Sequence, residues 1–207
     1  MSDHTHKPDS NSLQALDIKP LTGNESFQLN GQLLPLNVLS FWRWSSSNLA
    51  ANNLRGYLAE FLVAADFGAL SGSRVEWDAC DLRVAPNLRI EVKSSAYLQS
   101  WKQRKLSTIN FDISPTYGWD SETETTSNTY ARNSDAYVFC LLAHQNKGTL
   151  NPLNLDQWEF YVLPTKTIDL KLGNQKTLSL NGLLKLHPIK CQYGQISKTI
   201  RSLLTDS

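Results

Sequence analysis

The stretch that decides the fold is residues 81–93, which read DLRVAPNLRIEVK. Residues 85–87 (APN) fit a three-residue hairpin loop, and with that loop Leu82 pairs with Ile90. One face of the hairpin then carries only apolar side chains, and the other carries only charged ones. Slipping the register by one residue would mix the two faces. The pattern therefore predicts a β-hairpin with one face on a core.

The charged face of this hairpin places two carboxylates side by side. In the predicted register Asp81 stands opposite Glu91, with Cβ atoms about 5 Å apart, and Lys93 follows on the same face. Two neighbouring carboxylates repel each other, so one pKa should rise unless a cation joins them. Mg²⁺ suits this arrangement because it binds carboxylate and phosphate oxygens. The alternative is a solvated sheet face with ordinary cross-strand charges.

A helix is predicted before the hairpin. Apolar residues recur at helical spacing over residues 54–65, and residues 45–47 (SSS) offer N-cap hydroxyls. This helix is apolar nearly all round, which is typical of a buried helix. Glu60 is its only acidic residue, and a buried carboxylate must be neutral, paired or bound to a metal. Pairing with Arg55 or Arg43 is the structural alternative to a metal site.

The rest of the chain mixes strand and helix patterns, which is typical of an α/β domain with a mixed central β-sheet flanked by helices. Residues 136–143 form a nearly continuous apolar run, as a buried central strand does. Strands are also predicted over 106–113 and 158–163, helices over 178–186 and 195–204, and a long polar loop over 114–134. Residues 1–33 are predicted to be a polar, flexible leader, and 34–207 a single domain.

Composition excludes several classes of protein. The 207 residues are 41% hydrophobic with a net charge of +1, which argues against general disorder. Cys80, Cys140 and Cys191 lie far apart without a CxxC pair, so neither a disulfide scaffold nor a zinc cluster is expected. The apolar runs fall short of the ~20 residues of a membrane span, and residues 1–12 do not resemble a signal peptide. We therefore expect a cytoplasmic protein with no membrane partner.

The near-zero net charge is a sum of unlike segments. Residues 89–105 hold five basic residues and one acidic residue, whereas residues 112–135 hold five acidic residues and one arginine. Cations, hydroxyls and amides beside a metal site are the groups that contact phosphate backbones. The candidate nucleic-acid contacts are Ser94, Ser95, Gln99, Trp101, Lys102, Arg104 and Lys105. For Trp101 the alternative is packing against the sheet.

The acidic residues and the lysine form an ordered set: a helical G-x-x-x-E that ends at Glu60, then Asp81, then Glu91-x-Lys93. This set resembles the signature of the PD-(D/E)xK nuclease superfamily, over about residues 45–165, and the chain also looks like uncharacterised bacterial proteins with that core. The resemblance implies a restriction-endonuclease-like fold. It further implies that Asp81 and Glu91 are metal ligands, that Lys93 is the catalytic lysine, and that Glu60 is an accessory acidic residue of the metal site.

The same resemblance implies a Mg²⁺-dependent nuclease that hydrolyses DNA, with Mn²⁺ as a substitute metal and no nucleotide cofactor. It suggests restriction, another bacterial defence or DNA repair as the pathway, and a homodimer as the assembly. The family's proline before the aspartate is missing, because Cys80 precedes Asp81. Asp78 is the second choice of ligand, since on an extended strand it would point to the other face.

Two other functions stay open. One is a catalytically inactive module of the same fold that binds nucleic acid or another protein. The other is an unrelated α/β interaction protein whose charged hairpin face is only solvated.

Overall fold

The structure, a computed structural model, describes residues 13, 16–70, 72–74, 78–120 and 125–205. The strands are β1 (Ser26–Leu29), β2 (Gln32–Asn37), β3 (Leu82–Val84), β4 (Leu88–Ala96), β5 (Asn110–Asp112), β6 (Thr116–Asp120), β7 (Thr125–Ala131), β8 (Ala136–Leu142), β9 (Trp158–Pro164), β10 (Thr177–Ser179) and β11 (Ile189–Cys191). The helices are α1 (Val38–Ser46), α2 (Asn52–Asp66), α3 (Thr165–Leu172), α4 (Leu180–Lys185) and α5 (Ile196–Thr205). The described helices include none that is long and apolar enough to cross a membrane.

A mixed sheet forms the centre of the described fold, with the strand order β11-β9-β8-β4-β3. β4 and β8 run parallel, and the other neighbouring strands run antiparallel. This confirms the predicted α/β class with a mixed sheet. All of β8 is buried, as its apolar run predicts. The strand predicted over 158–163 and the helix predicted over 195–204 are also confirmed, as β9 and α5.

Each face of the sheet has its own hydrophobic layer. On one face, α2 and α5 supply residues such as Val63 and Ile200, which pack with Ile90 of β4. On the other face, α3, α4, β5 and β10 cover a second cluster that includes Phe139 and Ile168. The central strand is apolar throughout because both of its faces are covered.

The β3–β4 hairpin has the predicted register. Leu82 pairs with Ile90, and Val84 pairs with Leu88. β3 has only three residues, whereas β4 continues to Ala96. Among the described residues, the edge of β4 beyond Ile90 therefore has no strand beside it on this side. Glu91 and Lys93 lie on this open part of β4.

Other element predictions are wrong. Residues 114–134 are not a long loop, because β6 and β7 pair there as an antiparallel hairpin. Tyr117 pairs with Tyr130 and Trp119 pairs with Thr126, and these aromatic residues and threonine favour strands over a loop. The strand predicted over 106–113 is reduced to β5, and the helix predicted over 178–186 is reduced to α4 after β10, while α3 was not predicted.

The segment before α2 also differs from the prediction. Residues 45–47 lie at the C-terminal end of α1 and do not cap α2, which begins after Ala51 without a side-chain cap. β1, β2 and α1 span residues 26–46 and so cross the predicted boundary at residue 33. Residues 1–12 and 14–15 of the predicted leader lie outside the described residues.

Candidate active site

Asp81 lies at the open edge of β4. It precedes β3 by one residue, and its Oδ2 accepts a hydrogen bond of 2.7 Å from the backbone N–H of Val92. Because Leu82 pairs with Ile90, the next position outward brings Asp81 opposite Glu91. The carboxylate therefore takes the place that a longer β3 would occupy, and it satisfies a backbone donor of β4.

Glu91 and Lys93 form an ion pair along β4. Lys93 Nζ lies 2.5 Å from Glu91 Oε1, and the two side chains are only 25% and 18% exposed, respectively. In the neighbouring strand β8 they pair with Tyr137 and Phe139, which are buried. The ion pair therefore sits at the rim of a hydrophobic layer. This placement argues against the alternative of a solvated sheet face.

Glu60 approaches the same edge from α2. It accepts two hydrogen bonds from the guanidinium of Arg74, at 2.5 Å to Oε2 and 3.1 Å to Oε1. The Glu60 side chain is 13% exposed. Arg74 also lies over the ring of Tyr57, 4.4 Å from its centroid. The partner of Glu60 is thus an arginine that sequence reasoning missed, and not Arg55 or Arg43.

A cleft of about 760 Å³ opens between α2 and the described residues of 69–83. Glu60, Asp81 and Arg74 line it together with Tyr57 and Phe61. Both aromatic side chains are exposed, which corrects the expectation that α2 is buried all round. The cleft has the size of a typical ligand site, which ranges from about 300 to 1,000 Å³. Two of the predicted carboxylates are therefore accessible to a ligand.

Three carboxylates lie close enough to repel one another. Burial raises the pKa of Glu60, the hydrogen bond from Arg74 opposes this effect, and the charge of Asp81 adds to it. Burial also raises the pKa of Glu91, and the charge of Asp81 is the next largest cause. Glu60 raises the pKa of Glu91 further, whereas Lys93 lowers it. The charges of Glu60, Asp81 and Glu91 therefore influence one another.

Lys93 is protonated at neutral pH. Burial lowers its pKa, but the charge and hydrogen bond of Glu91 and the charges of Asp81 and Asp112 outweigh burial, and the net shift is upward. Asp112 lies on β5, and no pattern in the sequence predicts that it approaches Lys93. A protonated lysine can donate hydrogen bonds and stabilise negative charge, but it cannot accept a proton.

The carboxylates suit Mg²⁺ by their donor chemistry, although their side chains do not form a finished metal site. Across the described part of the chain, no group of three or more His, Cys, Asp or Glu is placed to hold a metal ion. Mg²⁺ needs only one or two carboxylates, because it keeps several waters. Within the same described residues, Asp81 Oδ1 and Glu91 Oε2 have no hydrogen-bond partner. The donor chemistry of these two oxygens is the kind that Mg²⁺ prefers.

Asp78, the second choice of ligand, is engaged elsewhere. Its two oxygens accept hydrogen bonds from Arg83 at 2.6 and 2.8 Å, and the backbone N–H of Ala79 donates to Oδ1 at 2.7 Å. It lines the same cleft as Asp81. A metal ion at Asp78 would have to displace Arg83, which is not required at Asp81.

The predicted nucleic-acid contacts fall into two groups. Ser95 and Gln99 are buried, and Gln99 accepts from Arg55 and donates to the carbonyl of Ala96. Their side chains are therefore engaged inside the described fold, and their contact with a nucleic acid stays a prediction. Ser94 is partly buried and accepts a hydrogen bond of 3.2 Å from Arg55.

The basic residues of the second group are exposed, namely Lys102, Arg104 and Lys105. Trp101 is 53% exposed, so the alternative that it packs against the sheet is not observed. Its backbone carbonyl accepts a hydrogen bond from Lys147. An exposed aromatic ring next to three cations remains available to a nucleic acid.

Comparisons with known proteins assign no family. No family model matches the chain, and the curated proteins provide no significant match.

Proposed function

We propose that this protein is a Mg²⁺-dependent nuclease with a restriction-endonuclease-like core, which hydrolyses DNA phosphodiester bonds at the open edge of β4. The observation that carries the proposal is the position of Asp81, whose carboxylate lies against the Val92 N–H beside the Glu91–Lys93 pair. Glu60, from α2, lines one cleft with Asp81. The order of these residues along the chain resembles the PD-(D/E)xK signature and supports the proposal.

Each residue has a role that its surroundings support. Asp81 and Glu91 would hold the metal through Asp81 Oδ1 and Glu91 Oε2, which have no hydrogen-bond partner among the described residues. Glu60 would complete the site. When bound, Mg²⁺ supplies charge stabilisation to the phosphate and a more acidic water. Protonated Lys93 orients the attacking water and stabilises negative charge that develops on the phosphate.

DNA is the proposed substrate because of the surface that follows β4. Trp101, Lys102, Arg104 and Lys105 are exposed there, and aromatic stacking combined with cations is how proteins hold nucleic-acid strands. A net charge of +1 supplies little long-range attraction for DNA, so we propose contact along one groove only. Restriction, another defence against foreign DNA, and DNA repair are the roles that this activity would serve.

The proposal is tested by incubating linear, circular and single-stranded DNA with the purified chain, with and without Mg²⁺. We expect cleavage that depends on the metal and that Lys93→Ala abolishes. Lys198→Ala is the matched control, because Lys198 is an exposed lysine on α5, and it should cleave normally. Metal-dependent cleavage by Lys93→Ala at the wild-type rate would reject the assignment.

A second candidate is a catalytically inactive module of the same fold that binds nucleic acid or another protein. The ion pairs favour it, since Arg74 neutralises Glu60 and Lys93 neutralises Glu91. Thermal unfolding distinguishes the two. A catalytic site should gain melting temperature with Mg²⁺, and Glu91→Gln should remove that gain, whereas an inactive module should bind DNA without any response to Mg²⁺.

A further inference from the structure

The segment formed by β1, β2 and α1, here called the N-terminal arm (residues 26–46), lies outside the hydrophobic core. The two described core clusters contain residues from the sheet, α2 to α5 and the loops between them, and none from the arm. All of β1 is exposed, and every residue of α1 is at least partly exposed. Its own contacts fold the arm, such as the capping box between Asn37 and Ser40.

The large apolar side chains of the arm together expose more area than the largest apolar patch of a typical monomer. Eight large apolar side chains, each 38–85% exposed, lie within it: Phe27, Leu29, Leu33, Leu36, Leu39, Phe41, Trp42 and Trp44. Together they expose on the order of 900 Å², taking about 200 Å² for a fully exposed large apolar residue. The largest apolar patch of a typical monomer covers about 300–600 Å². A stable complex buries roughly 800 Å² on each partner.

The charge of the arm identifies the kind of partner. Arg43 is its only charged residue, so the arm lacks the cations that hold nucleic acids and the cationic face of helices that lie on membranes. Trp and Phe are enriched, and charged residues depleted, at the centre of protein–protein interfaces. Interfaces this apolar are typical of permanent complexes, and especially of homodimers.

The shape of the arm requires a partner that encloses it. Leu33 pairs with Gln28 across the β1–β2 hairpin, so its side chain lies on the face opposite Phe27 and Leu29. Both faces of the hairpin are thus apolar. A segment of this size buries too little surface to be stable alone. A contact on one side only would leave the other face in water.

We propose that a second copy of this chain covers the arm, and that the two arms pack against each other in a symmetric dimer. A surface with Arg43 as its only charge meets its own copy with little like-charge repulsion, which a two-fold interface has to avoid. A second copy is also present at equal concentration wherever the chain is made, as a permanent interface needs. The arm is the dimerisation element, separate from the cleft that holds Glu60 and Asp81.

Sedimentation equilibrium of the full chain tests this proposal. The wild type should sediment at twice its monomer mass of 23.3 kDa. The double variant Leu33→Ser, Trp44→Ser should dissociate at roughly thousandfold higher concentration, since truncating central anchors of an interface costs about 2 kcal/mol or more each and every 1.4 kcal/mol is tenfold. Leu170→Ser is the control, because Leu170 is 75% exposed on α3 of the body, and it should remain dimeric.

Circular dichroism and thermal unfolding of each variant verify that the rest of the fold, outside the arm, is intact. A monomeric wild type at micromolar concentration would overturn the proposal, and so would a double variant that dimerises as tightly as the wild type. If the monomer instead floated with phosphatidylcholine vesicles, the arm would be a lipid contact and the proposal would fail. The test does not use DNA or metal, so it is independent of the proposed nuclease activity.

Discussion

The candidate site has two halves that hold equally short ion pairs in different ways. In the strand half, Glu91 and Lys93 are two residues apart on one strand, and both side chains are mostly buried. In the helix half, Glu60 pairs with Arg74, which lies 14 residues along the chain and has a side chain that is 38% exposed. The strand half is fixed by the pairing of β4, whereas the helix half depends on a surface segment. We infer that the strand half is preorganised and that a ligand can displace the helix pair.

The largest expected difference between the halves is in catalysis. Asp81→Asn should lower DNA cleavage by about a thousandfold or more, since it removes a charged ligand while its side-chain oxygen can still accept from the Val92 N–H. Arg74→Ala should lower cleavage by no more than about tenfold, because Arg74 is only a neighbour of the site. Initial rates on the same DNA compare the two. Asp156→Asn, an exposed aspartate away from the cleft, is the control. Equal losses in both variants would remove the distinction.

The next difference is in stability. Lys93→Met leaves Glu91 mostly buried without its partner, so we expect the free energy of unfolding at pH 7 to fall by about 1–3 kcal/mol. Arg74→Met leaves Glu60 beside an open cleft, where water can solvate its carboxylate, and Arg74 itself is 38% exposed, so the cost should be less than about 1 kcal/mol. Urea denaturation measures both. The double variant Glu91→Gln, Lys93→Met should recover part of the loss. If Lys93→Met lost no more stability than Arg74→Met, the Glu91–Lys93 pair would not be better shielded from water than the Glu60–Arg74 pair.

The pH dependence of stability sharpens the same comparison. The pKa of Glu91 is raised above its usual value of 4.5, with burial as the largest cause. Its contribution to stability is therefore fully present below about pH 4.5 and is lost as the pH rises through the raised pKa. The glutamine of Glu91→Gln cannot ionise. The free energy of unfolding of this variant should therefore rise relative to that of the wild type as the pH increases from 4.5 to 8. Parallel curves for the two proteins would contradict the burial of this charge.

The smallest expected effect is on metal affinity. Arg74 and a metal ion compete for the oxygens of Glu60, so Arg74→Ala should tighten Mg²⁺ binding by up to about fivefold, the equivalent of roughly 1 kcal/mol for an exposed ion pair. Isothermal calorimetry measures this affinity. Arg89→Ala is the control, since Arg89 pairs with Asp135 and neither of them lines the cleft. Weaker Mg²⁺ binding by Arg74→Ala would mean that Arg74 supports the metal site.

The strand half could be predicted from the sequence because its geometry is local. Alternation of apolar and charged residues on both sides of a short loop allows one register only, and that register brings Asp81 to Glu91. The mixed sheet and its buried strand β8 follow from equally local patterns. The charges of Asp81 and Glu91 could therefore be placed together without knowledge of the rest of the fold.

The helix half could not be predicted, because its partners meet through tertiary structure. The contact of Arg74 with Glu60 depends on the path of the chain after α2, and no periodicity encodes that path. The approach of Asp112 to Lys93 likewise depends on β5, which was predicted as part of a longer strand. The burial of Gln99 results from contacts with Arg55, 44 residues away in the sequence.

Calorimetric titration of Mg²⁺ tests the central claim most directly, because the claim requires a metal that Asp81 and Glu91 hold together. We expect one Mg²⁺ site for each wild-type chain. We also expect Glu91→Gln and Asp81→Asn each to weaken this site at least about tenfold. Equal Mg²⁺ affinity in the wild type and in both variants, or a wild type that binds no Mg²⁺, would show that Asp81 and Glu91 do not hold the metal together.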